Sequence, residues 1–148
     1  MSTDPSKVFR RYLSAGVINA LATAEAAGLN ATDYYALNLL DLSGPLTSGD
    51  LAAGTGLTTG ATTRLIDRLE KGGFVRRVPD PDDRRKVIVE SVARPEGLEQ
   101  VLAGTRRRLG EVFEGMAEGD RAVLFRYFTE AADAYQAATQ ELHQPRTP

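Results

Sequence analysis

The chain has 148 residues, 42% of them hydrophobic and 26% charged, with a net charge of -2, no cysteine and a single histidine, His143. This is the balance of one ordinary globular domain, and it excludes disulfides, thiol catalysis and thiol redox sensing; a lone histidine also leaves no donor set for a transition metal. No apolar run approaches the ~20 residues of a spanning helix, and Met1-Ser2-Thr3-Asp4-Pro5 lacks the basic-then-apolar pattern of a secretion signal, so a cytoplasmic protein without membrane contact is expected.

Asp4 before Pro5 is a helix start, and Leu13, Val17 and Leu21 recur at helical spacing, predicting a first helix to about Gly28. A second helix is expected after Thr32 as cap, with Ala36, Leu37 and Leu40 inward, stopping at Ser43-Gly44-Pro45. Thr47 caps a short third helix around Asp50-Leu51-Ala52-Ala53, which breaks at Gly54-Thr55-Gly56. Thr58 caps a fourth, Thr59 to Lys71, with Ala61, Leu65 and Leu69 inward and Gly72-Gly73 as its close.

The period then changes from helix to strand. Phe74–Val78 and Val87–Val92 are rich in β-branched residues and flank Pro79-Asp80-Pro81-Asp82-Asp83-Arg84-Arg85-Lys86, predicting a hairpin with a charged tip. After Ala93-Arg94-Pro95, Leu98, Val101, Leu102, Leu109, Val112, Phe113 and Met116 form a long helical pattern, which breaks near Gly119-Asp120 and resumes as Leu124, Phe128, Ala131 and Tyr135. The tail Gln144–Pro148 has no apolar anchor and is expected to be loose. The fold class is therefore mainly α with a small β-hairpin.

A short helix, a glycine-containing turn and a second capped helix make a helix-turn-helix, whose second helix can enter a major groove by its N-terminal end. Thr58, Thr59, Gly60, Thr62 and Thr63 give that end small side chains and hydroxyls for close approach to a duplex, and Arg64 and Arg68 add charge one turn apart. The hairpin tip, with Asp82, Arg84, Arg85 and Lys86, reads as a wing that projects cations toward phosphates or a minor groove. Charge supports this reading: residues 58–86 carry eight basic and five acidic side chains, while the flanking segments are both net negative. Double-stranded DNA is the expected partner. With one histidine, no cysteine, no phosphate-loop pattern and the Asp82-Asp83 pair on an exposed turn, neither an enzyme nor a cofactor is expected. The competing class is a winged-helix scaffold that binds proteins and not DNA, which the net negative charge allows.

The run Thr63–Val75, the preceding Leu51-Ala52 and the wing Asp80-Pro81-Asp82-Asp83-Arg84-Arg85 resemble the MarR family of bacterial winged helix-turn-helix regulators, over nearly the whole chain. The resemblance implies a single domain over 1–148, with a winged helix-turn-helix DNA-binding lobe at 32–92 and dimerisation helices at 4–28 and 95–143. It implies a homodimer on a near-palindromic operator with half-sites about 10 bp apart, acting as a repressor. It further implies a tether between Asp67 of the recognition helix and Arg85 of the wing, and release by a small aromatic or anionic effector in a crevice with Arg11, Tyr12, Tyr34 and Tyr35 as candidate lining. One departure is Ala93-Arg94-Pro95, where relatives usually place a hydroxyl cap before the next helix.

Overall fold

The computed structural model describes residues 4–143; the expectations for Met1–Thr3 and for the tail 144–148 lie outside them. The chain divides into two compact units, with the boundary inside one helix at residues 102 and 103.

The first unit is built by local signals that mostly act where the sequence places them. Helix α1 (Pro5–Ala26) starts on Asp4, whose side chain accepts the Ser6 N–H. It ends in a Schellman motif: Gly28 takes φ 71°, its N–H donates to Glu25 O, and the Leu29 N–H donates to Ala24 O. Helix α2 (Ala31–Ser43) begins two residues earlier than expected, because the Asn30 side chain and not Thr32 caps it, accepting the Asp33 N–H at 2.8 Å. Gly44 then closes it at φ 74° and Pro45 prevents its continuation.

Helix α3 (Ser48–Thr55) starts on Thr47 and ends at left-handed Gly56, and α4 (Thr59–Lys71) starts on Thr58, whose hydroxyl accepts the Ala61 N–H. A second Schellman motif ends α4, with Gly73 at φ 79°, Gly73 N–H to Glu70 O and Phe74 N–H to Leu69 O. This motif reverses the chain directly into the sheet.

The hairpin is β2 (Val75–Pro79) and β3 (Val87–Ser91), paired antiparallel from Val75 with Ser91 to Pro79 with Val87. A third strand, β1 (Leu46–Thr47), pairs with β3 through Leu46 with Val89 and Thr47 with Ile88, so the sheet order is β1-β3-β2. Its two residues are too short to carry an alternating pattern, and the sequence reading missed it. With β3 in the middle, Val89 is fully buried beneath α2, α3 and α4. The main core is Ala36, Leu37 and Leu40 of α2, Leu51 of α3, Leu65, Ile66 and Leu69 of α4, and Val75 and Val89 of the sheet. Helices α2 and α3 approach so closely at Gly54 that a Cβ there would collide with Leu39 Cδ2.

A smaller cluster joins Ala24 of α1, Tyr34 of α2 and Leu98, the first residue of α5 (Leu98–Glu114). The segment between sheet and α5 is fixed by Arg94, which pairs with Asp41 of α2 and with Glu99, both at 2.8 Å. An arginine thus anchors the segment where a hydroxyl cap was missing.

The second unit is the rest of α5 and α6 (Glu118–His143). Arg121 lies over the Phe113 ring at 5.0 Å and donates to Glu114 O and Met116 O, which holds the turn between the two helices. Phe113 and Phe125 meet at 5.2 Å. Among the described residues, α6 buries none of its side chains, and no helix is long and apolar enough to cross a membrane.

Candidate nucleic-acid interface

Helix α4 buries Thr62, Leu65, Ile66 and Leu69 and leaves Thr58, Thr59, Gly60, Thr63 and Arg64 exposed at its N-terminal end. Gly60 adds no side chain to this surface. The Thr63 hydroxyl donates to Thr59 O at 3.0 Å and keeps its lone pairs for an outside donor. Thr62 does not belong to the interface that the sequence reading assigned it to: it is 2% exposed and its hydroxyl donates inward to Thr58 O at 2.9 Å. The reason is the helical period, which puts residue 62 on the row of 65, 66 and 69.

Arg68 is also engaged elsewhere. Its Nε and Nη2 donate to Oδ2 and Oδ1 of Asp33 at 3.1 and 2.7 Å, a bidentate pair linking α4 to α2. This hydrogen bonding is the main cause of the raised Arg68 pKa, followed by an opposing effect of burial and then by the charge of Asp33, so the arginine stays protonated. Arg68 is a brace of the recognition helix, with half of its side chain still open to solvent.

The wing is tied to α4, but not by the expected residues. Arg77 of β2 donates to Asp67 and to Glu70, and its backbone N–H also donates to Glu70 Oε1 at 3.2 Å. The bond to Asp67 is the main cause of the raised Arg77 pKa, followed by opposing burial and then by Glu70. The structure does not bring Asp67 and Arg85 together: Arg85 offers its backbone N–H to Asp83 Oδ1, and its side chain makes no ion pair among the described residues. The strand explains the exchange. Arg77 is two residues after buried Val75, hence on the same face of β2, whereas Arg85 is at the tip. That alternation was the available signal.

The tip is shaped by short-range bonds. Asp80 Oδ1 accepts the Asp82 N–H, Asp83 Oδ1 accepts the Arg85 N–H, and Lys86 donates to Asp83 O and accepts from the Asp80 N–H. Asp82, Arg84, Arg85 and Lys86 are exposed on it. Of the eight cations in 58–86, Arg68, Arg76 and Arg77 are neutralised by carboxylates, Arg76 by Glu90 across the ladder. Arg64, Lys71, Arg84, Arg85 and Lys86 have no carboxylate partner among the described residues. Two of the five are on α4 and three on the wing tip.

The candidate effector residues differ in burial. Tyr34 is buried in the small cluster with Ala24 and Leu98, Arg11, Tyr12 and Tyr35 are exposed, and no hydrogen bond or ring contact joins the four among the described residues.

A three-stranded wing behind a helix-turn-helix, with unpaired cations on both, defines a winged-helix DNA-binding protein. Residues 27–86 match the MarR family profile. The HTH-type transcriptional regulator YcgE of Bacillus subtilis is 34% identical over 139 residues, which cover 93% of this chain and 90% of YcgE. The chain therefore belongs to the MarR family, and it is a DNA-binding transcription regulator of the helix-turn-helix type. Among solved structures, NadR in complex with 4-hydroxyphenylacetate shares the fold with a TM-score of 0.64 at 22% identity, covering 89% of this chain and 93% of NadR. A cysteine-to-serine mutant of Escherichia coli MarR complexed with operator DNA has a TM-score of 0.57 at 19% identity, covering 86% of this chain and 91% of that one.

Proposed function

We propose that the protein is a cytoplasmic repressor that binds a near-palindromic operator as a homodimer and leaves it when a small aromatic or anionic effector binds. The observation that carries DNA recognition is the exposed Thr/Gly start of α4 with Arg64 one turn on, together with Arg84, Arg85 and Lys86 on the wing tip, all four cations without a carboxylate partner among the described residues. A protein-binding scaffold would have little use for such cations. Dimerisation is supported by large apolar side chains left in solvent: Val8, Val17, Ile18 and Leu21 on α1, and Leu109, Val112, Val123 and Phe125 on α5 and α6. An effector is supported by analogy to NadR, whose complex holds a phenolic acid. Arg11, Tyr12, Tyr34 and Tyr35 remain its proposed neighbours.

The test is fluorescence anisotropy with the duplex upstream of the protein's own gene against a scrambled duplex, over a salt series. Preferential, saturable binding by a dimer, weakening steeply with salt, is expected. Absence of binding to both duplexes at low salt would overturn the reading in favour of a scaffold.

A further inference from the structure

Asp33 is the third residue of α2, where an acidic side chain ordinarily folds back to the N–H of the cap residue. Here it does not. Asn30 caps the helix, and the Asp33 carboxylate is turned away, 8% exposed, to receive two guanidinium nitrogens of Arg68. A buried carboxylate is retained only where it is well paired, and a bidentate pair fixes angles as well as distance. The rest of the contact between α4 and the core is the apolar row Leu65, Ile66 and Leu69, which is non-directional; the other ion pairs of α4, Asp67 and Glu70 with Arg77, tie it to the wing and not to α2. Helix α2 is itself anchored in the core by Ala36, Leu37 and Leu40, so it serves as the fixed reference.

Arg68 is one turn beyond Arg64, an unpaired cation at the DNA-facing end of α4, where a free guanidinium would meet any phosphate regardless of sequence. We propose that Asp33 is a positioning residue for DNA recognition: through Arg68 it sets the rotation of α4, and it withholds the Arg68 charge from indiscriminate phosphate contact. Asp33 thereby raises the preference for operator over random DNA and not the affinity for DNA as such. This inference rests on the operator-binding reading above.

The experiment compares wild type, Asp33→Asn and Arg68→Gln on a duplex that the wild-type protein enriches from a randomised pool, and on its scramble, at several salt concentrations. For Asp33→Asn the operator-to-scramble ratio should fall about tenfold or more, with scramble binding held or tightened and its salt slope steeper by about one ion. Arg68→Gln should lose the ratio without the steeper slope, the double variant should add little to either, and Asp33→Glu should restore part of it. A folded Asp33→Asn with wild-type ratio and slope overturns the proposal, as does an equal loss on both duplexes, which is what a merely structural role gives. If Asp33→Asn does not fold by circular dichroism, Arg68→Gln, changed at a half-exposed side chain, decides by its ratio alone. A wild-type protein that enriches no sequence overturns the operator-binding reading, and this inference with it.

Discussion

Thr62 and Thr63 are neighbours with opposite surroundings, one in the core and one in solvent. Thr62→Val should leave operator affinity within about twofold of wild type and stability within ~1 kcal/mol, since one satisfied hydroxyl is lost from an apolar row. Arg64→Ala should weaken binding to operator and scramble alike and reduce the salt slope by about one ion, both readable by anisotropy. Composition marks all of these residues as suited to a groove, but only the helical phase separates those that reach it. The tether shows the same limit. Asp67, Glu70 and Arg77 are all visible in the sequence, yet which cation meets Asp67 depends on strand face and turn geometry, and the structure selects Arg77. Arg77→Ala should therefore loosen the wing and lower operator affinity several-fold, while thermal stability falls by only ~1 kcal/mol or less, because the three groups are partly solvent-screened.

At the scale of elements, what was legible is what local chemistry decides. The caps Asp4, Thr47 and Thr58, the close of α4 at Gly72-Gly73 and the hairpin strands were readable because each depends on residues a few positions apart. Gly73→Ala should cost about 1 kcal/mol or more in a denaturant titration, since φ 79° strains any side chain. The second helix start was misplaced because Asn30 and Thr32 are both competent caps, and the choice follows from which one reaches a free N–H. Strand β1 and the Asp33–Arg68 brace were not legible at all: their partners are more than thirty residues away, and no short-range periodicity encodes them.

On the scale of the whole molecule, the helices at the two ends of the sequence bury little among the described residues: Thr23 and Ala24 on α1, Leu98 on α5 and nothing on α6. The stripe on α1 has the predicted spacing, but Val17 and Leu21 are exposed, and α6 buries no described side chain. A second copy is the proposed cover. Stability should then depend on protein concentration, with Tm rising on concentration in calorimetry. Val112→Glu, at a position 70% exposed in the single chain, should give monomers in sedimentation and weaken operator binding at least about tenfold, as two linked half-site contacts become one. The tip of the wing is organised in the opposite manner. The bonds that shape it run between Asp80 and Lys86, so its form travels with those consecutive residues and asks nothing of the core. It has the build of a cassette: a tip of different reach or charge can be exchanged on the same β2–β3 ladder without repacking a single helix, and if the wing meets operator as proposed, its preference can drift in evolution there.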